Sequence, residues 1–115
     1  MDIDNILVET KESKKYFQVE LIEDKFLLKF INMHELDLYH FHLSYFLNEN
    51  CKKLDNDWIL DFSNITFIDS TGLSILISTQ KILDAKSKIL FIQNCKTEVK
   101  RFFDETHSAN LFKFI

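Results

Sequence analysis

The strongest constraint on this chain is a pair of short, almost unbroken apolar runs, Trp58-Ile59-Leu60-Asp61-Phe62 and Ile89-Leu90-Phe91-Ile92. Each is too short for a packed helix and lacks the alternation of a half-solvated strand. Runs of this kind suit strands covered on both faces, as in a parallel or mixed sheet. Between them, Leu73 to Leu83 follows helix spacing, with Leu73, Leu76, Ile77 and Leu83 on one side. Ile75 and Ile82 lie off that stripe and either widen it or face a partner. Strand, helix, strand commits the chain to an α/β arrangement.

The flanking segments extend the pattern. Phe17 to Ile22 alternates as a half-buried strand, Glu23-Asp24-Lys25 is a polar break, and Phe26 to Ile31 reads as a second strand. The pair forms a hairpin without glycine, which leaves its turn type open. Asp37 is placed to cap the next helix, where Tyr39, Leu43, Phe46 and Leu47 share one face and Phe41 and Tyr45 widen it. Thr97 to Glu105 reads as a short helix with Val99, Phe102 and Phe103 inward, and Leu111 to Ile115 is apolar enough to dock on the core. The order is β-β-α-β-α-β-α: an α/β fold with a mixed sheet of four to five strands and helices packed on it. Residues 1–16 read as a loose N-terminal extension in which Ile6, Leu7 and Val8 could form a short strand. Residues 17–115 form the domain.

Composition removes several functions. At 115 residues there is room for one domain. A net charge of −4 argues against a general nucleic-acid binder, and the basic residues between Lys96 and Arg101 read as a solvated helix face. No apolar run approaches the roughly 18 residues of a membrane span. The acidic start Met1-Asp2-Ile3-Asp4 does not resemble a secretory leader, so a cytoplasmic protein with Cys51 and Cys95 as reduced thiols is expected. His40 and His42 stand at i and i+2, pointing to different sides of a helix, and no third metal ligand is apparent. His34 and His107 read as surface or turn residues. With one glycine there is no phosphate-cradling loop, and Ser70 lacks the elbow of a hydrolase nucleophile. The expectation is a binding module, not an enzyme, with no cofactor and no metal.

Asp69-Ser70-Thr71-Gly72 stands between an apolar strand and the apolar helix. Asp and Ser are favoured N-cap residues, so the plain reading is a helix cap. Placing the chain's single glycine in a first helical turn costs about 1 kcal/mol against alanine. Room is therefore needed there, either for close packing or for a partner approaching the backbone. A phosphate on Ser70 would suit a helix N-terminus and would add about −1.5 to −2 of charge to the surface.

The stretch from Trp58 to Leu73, with Phe67-Ile68-Asp69-Ser70-Thr71-Gly72-Leu73 at its end, resembles the signature of STAS domains. In that family a strand and short loop lead to Asp-Ser-x-Gly-Leu opening a helix. Val99-Lys100-Arg101-Phe102-Phe103-Asp104 is similar to the family's last-helix segment, and the similarity runs from about Phe17 to the C-terminus. The resemblance implies an anti-sigma factor antagonist with Ser70 as phosphorylation site and Thr71 as the lesser acceptor. Asp69 would shape the site, Gly72 would admit the partner, and Asp37 would belong to the partner surface. The implied partners are an anti-sigma factor serine kinase, bound by the unphosphorylated form so that the sigma factor is freed, and a serine phosphatase. A homodimer is compatible with the sequence. The same resemblance allows a STAS subunit of a lipid-transport ATP-binding-cassette complex or of a stressosome-type scaffold. Two positions depart from the family: His34 stands where a glycine precedes the Asp37 turn, and no glycine occurs between Glu105 and Leu111.

Overall fold

The computed structural model describes residues 5–115; Met1 to Asp4, on which the leader argument turned, lie outside the described residues. The elements are α1 (Lys11–Tyr16), β1 (Phe17–Ile22), β2 (Lys25–Phe30), β3 (Glu35–Leu36), a 3-10 turn (Leu38–His40), α2 (His42–Lys53), β4 (Asp57–Asp61), β5 (Phe67–Ile68), α3 (Ser70–Asp84), β6 (Leu90–Gln93), α4 (Thr97–Glu105), a second 3-10 turn (Ala109–Leu111) and β7 (Lys113–Phe114). Five strands form one sheet in the order β1-β2-β4-β6-β7, and β3 and β5 form a second, two-stranded one. β1 and β2 are antiparallel; every other pairing is parallel. The mixed sheet read from the sequence is therefore present at its upper count.

Parallel pairing places the functional end. The carboxyl ends of β2 and β4 lie at the same edge of the sheet, and ligand-binding features of open α/β sheets gather at such edges. The connection leaving β2 carries β3 and Asp37; the one leaving β4 carries β5 and Ser70. These connections pair with each other, Glu35 opposite Phe67 and Leu36 opposite Ile68. The Asp69 N–H also donates to the Leu36 carbonyl at 3.2 Å.

The core explains the heavy use of phenylalanine. Phe26 stacks on Trp58 at 4.8 Å, and Phe17 meets Phe46 at 5.2 Å. Phe103 of α4 touches Phe62, Phe112 and Phe114, so one side chain ties the C-terminal strand to the centre. Each such ring pair contributes about 0.5–1.5 kcal/mol beyond its area. In β4, Trp58 and Leu60 are fully buried while Asp57 and Ile59 on the other face are half-buried. The strand is covered fully on one face only, a correction to the two-sided cover expected.

Glycine-poor turns are made by other residues in left-handed conformations. Glu23 (φ 48°) and Asp24 (φ 68°) form the two-residue hairpin loop between the Ile22–Lys25 pair, as a type I′ turn requires. His107 (φ 56°) ends α4 where the family's glycine was missed. There the Ser108 N–H reaches the Phe103 carbonyl at 2.9 Å and the His107 N–H the Asp104 carbonyl at 3.2 Å, the bonding of a Schellman cap.

Three local expectations are corrected. Within the described residues, 5–16 are not a loose tail: Leu7 is buried, Thr10 caps α1, and the Asn50 side chain clasps Val8 from both sides. Ile6 to Val8 form no strand. Asp37 caps the 3-10 turn, accepting from the Tyr39 N–H at 3.0 Å, whereas α2 starts at His42 after Phe41. Tyr39 consequently leaves the helix face and is 82% exposed. Ile75 is buried and Ile82 packs against the core, because the stripe of α3 is wide enough to include them; they are not a partner patch.

Candidate functional site

α3 begins at Ser70 because Asp69 stops the strand and caps the helix. The Asp69 carboxylate accepts from the Gly72 N–H at 3.0 Å, and its carbonyl accepts the first helical bond, from the Leu73 N–H at 2.9 Å. Asp69 is thus a structural cap, as its chemistry suggests. Ser70 is exposed and is not the cap, so its hydroxyl is free of that duty; Thr71 is half-buried. The Ser70 carbonyl accepts from Ser74 Oγ at 3.0 Å. Ser70 and Thr71 contribute the first two N–H groups of the helix, which have no intrahelical acceptor.

Gly72 has a reason of its own. A methyl in place of its hydrogen would come within 2.8 Å of Leu36 Cβ and 2.9 Å of the Leu36 carbonyl carbon, and closer still to the carbonyl oxygen. The room inferred from the sequence is filled by β3 itself. Close packing, not partner access, is what this glycine provides, and it draws the two connections together.

Asp37 follows β3 as Asp69 follows β5, so register sets the two caps side by side. Burial pushes the Asp37 carboxyl up, but hydrogen bonds from His40 and the Tyr39 N–H outweigh it and hold the group below the usual carboxylate range. His40 Nδ1 donates to Asp37 at 2.7 Å. His34 Nδ1 donates to the Asn64 carbonyl at 3.0 Å, and the His34 carbonyl accepts from the Thr66 N–H at 2.8 Å. His34 therefore stitches the two connections together without a left-handed backbone.

The two connections also carry exposed apolar side chains. Tyr39, Phe41 (69% exposed), Leu38 (59%) and Phe67 (49%) project from the two connections, with Tyr45 on the first turn of α2. Leu38 and Phe67 were missed from the sequence. Phe67 stands out only once Ile68 is known to point inward, since neighbours on a strand face opposite ways. All fourteen Lys and Arg residues lie outside segments 31–51 and 63–80, which build this end. Beside Phe67 a groove of about 190 Å³ separates β5 from α4, lined also by Phe102, Arg101, Glu98 and Glu105.

Other chemistry finds less support. Burial pushes the Cys51 thiol up to about 12 and the Cys95 thiol up to about 11, so both stay protonated. Among the described residues no group of three metal-ligating side chains converges and no helix is long and apolar enough to cross a membrane.

Known proteins match this arrangement. The anti-sigma-B factor antagonist of Staphylococcus epidermidis is 32% identical over 56 residues, an alignment taking in 49% of this chain and 52% of the relative. The chain thus spans about half the length of the curated relatives it matches. Among solved structures, SpoIIAA, an anti-sigma factor antagonist, in its unphosphorylated form superposes with a TM-score of 0.64 at 16% identity, covering 86% of each chain. The Bacillus cell fate determinant SpoIIAA in its phosphorylated form gives 0.63 at 16% identity, over 86% of this chain and 90% of that one. A Thermotoga maritima protein described as a candidate anti-sigma factor antagonist gives 0.68 at 19% identity, over 85% and 84%. At these identities the superpositions speak for the fold. The profile of the STAS domain family matches residues 3–115, nearly the whole chain, and this protein belongs to that family.

Proposed function

We propose that this chain is an anti-sigma factor antagonist whose binding is switched by phosphorylation of Ser70. The observation that carries the reading is the position of Ser70: exposed, first in α3, and excused from capping by Asp69. A hydroxyl there can gain a phosphate without losing a hydrogen bond the fold needs. The names of the relatives support the class of function, and the exposed apolar side chains on the two paired connections support a protein partner.

In this reading the unphosphorylated form docks its apolar end on a serine kinase that acts as the anti-sigma factor, and the sigma factor is released. Phosphorylation adds about two negative charges. Neither segment that builds this end carries Lys or Arg; the charge would add to those of Asp69 and Asp37, and a cation bordering this end is Arg101 of α4, in the groove beside Phe67. Desolvating the added charge against an apolar partner surface is costly, and the complex dissociates. A phosphatase restores the binding form. Asp69, Thr71, Gly72 and Asp37 shape the surface, and the chain itself performs no catalysis. A cytoplasmic location accords with such a role.

Site-resolved mass spectrometry on protein recovered from its host, with Ser70→Ala as control, tests the switch. Phosphate on Ser70 that varies with growth condition is expected; zero occupancy through all growth phases and stresses rejects it. Ser70→Asp should weaken binding of the kinase captured by the unphosphorylated form at least about tenfold, or 1.4 kcal/mol. Equal affinity would remove the mechanism.

A further inference from the structure

His40 and His42 take no part in the switch, and their surroundings are opposite. His40 Nδ1 lies 2.7 Å from Asp37, so a proton on His40 completes an ion pair. The half-buried His42 ring packs against three other rings. It stacks on Tyr16 of α1 at 4.7 Å, leans on Phe17 at 5.6 Å and meets the edge of His40 at 5.5 Å. Its Nε2 is buried with no hydrogen-bond partner among the described residues. As a neutral plate this ring fits its site. As a cation it would bury an N–H with no acceptor and face the His40 charge.

What the plate holds is α1. That helix has six residues, too few to persist in water without packing. Its attachments include the Tyr16–His42 stack, an edge contact of Tyr16 with His40, the Ile31 N–H bond to the Tyr16 carbonyl at 2.9 Å and the Asn32 amide bond to the Lys15 carbonyl at 2.9 Å. The same histidine opens α2 directly after the Leu38–His40 turn, so what moves α1 acts beside the exposed apolar surface.

We propose that His42 is a proton-operated latch: neutral, it clamps α1 to α2; charged, it releases α1 and loosens the turn that presents Leu38, Tyr39 and Phe41. The latch stands independently of phosphorylation; its effect on partner binding rests on the Ser70 reading.

The groups facing the ring decide the sign. Burial and the neighbouring His40 hold His42 below the ordinary value of 6.5, while Glu12 of α1 opposes them. From the turn come Asp37 and His40, with Glu35 of β3 near Asp37; from α1 come Glu12 and Tyr16, with Lys15 over the Tyr16 ring. None of these carboxylates is a hydrogen-bond partner of Nε2. The open state therefore binds the proton more readily than the closed one. The closed state loses ground as pH falls below 6.5 toward the depressed value, by no more than about tenfold per pH unit for one proton.

Amide hydrogen exchange on the full chain, corrected for intrinsic rates, at about pH 7.5 and about pH 5.5 spans the ordinary imidazole range. Protection at Lys14, Phe17 and Ile31 is expected to fall several-fold at the lower pH, with β2, β4 and β6 unchanged outside their ends. His42→Phe keeps the plate without the titration and should make α1 protection independent of pH. An unchanged wild-type α1, or the same fall in His42→Phe, overturns the latch. Should His42→Phe not fold, the wild-type ring titration read by NMR decides: a His42 midpoint at or above the ordinary value, or one not matched by loss of α1 protection, rejects it. Ser70→Ala should leave the latch intact, so the two proposals fail separately.

Discussion

At Gly72 a single hydrogen decides how close α3 comes to β3. Gly72→Ala gains helix propensity of about 1 kcal/mol but drives a methyl into the Leu36 backbone, and backbone cannot rotate away as a side-chain tip can. Overpacking of this kind costs about 1–3 kcal/mol. The variant should unfold at lower urea than wild type; equal or greater stability would mean that α3 slides without penalty. His107 is the opposite case. It holds a left-handed conformation (φ 56°) at an exposed position, where a side chain costs about 1 kcal/mol or more. His107→Gly should raise the urea midpoint by about 0.5–1 kcal/mol of stability, the glycine's extra unfolded-state freedom taking back part of the gain.

Among the elements, α2 is the organiser of the N-terminal half. Asn50 is fully buried, and its amide is spent on the Val8 N–H at 2.7 Å, the Val8 carbonyl at 2.9 Å and the Phe46 carbonyl at 2.9 Å. Asn50→Leu leaves the Val8 groups without those partners and should cost about 2–3 kcal/mol. The loss should appear as amide exchange in residues 7–17 well before the sheet opens. At the other end α4 is held through Phe103, whose ring meets those of Phe62, Phe112 and Phe114. Phe103→Ala should cost about 3–5 kcal/mol and free β7 from β6, a change visible in the exchange of the Ile115 N–H, which bonds the Ile92 carbonyl at 2.9 Å.

For the whole molecule, acid should act in two windows. His42, with its depressed folded value, favours the folded state less as pH falls below 6.5. Asp37 and Asp61 are also held low, but as carboxylates. At Asp61 burial pushes upward and hydrogen bonds from Ser63, Gln93 and Asn94 prevail. Their contribution is complete above the ordinary value of 3.8 and disappears as pH falls from there through the depressed ones. Denaturation followed against pH should therefore show a shallow loss in the imidazole range and a second below it, and His42→Phe should remove the first alone.

The architecture was legible because its signals are local. Nearly unbroken runs at Trp58 and Ile89, helix spacing after Leu73 and the Asp-Ser-Thr-Gly junction needed no long-range information, and together they specified an α/β fold with a helix cap at the Asp69-Ser70 junction. Ser70 could be singled out for the same reason, and Asp37 was found as a cap although the element it caps was misplaced. What the sequence could not show were facts of contact between distant residues. Gly72 was seen to need room, but only the packing of α3 on β3 shows that Leu36 fills it. Ile75 looked available to a partner until α3 was set against the core, where a wide buried stripe absorbs it. Asn50 and His42 carry no sequence signal, because their importance comes from Val8 and Tyr16, each brought to α2 by the folding of the N-terminal segment over it. Side-chain spacing along a chain determines which face each residue occupies; which faces meet is decided by the path of the backbone, and the structure supplies that path.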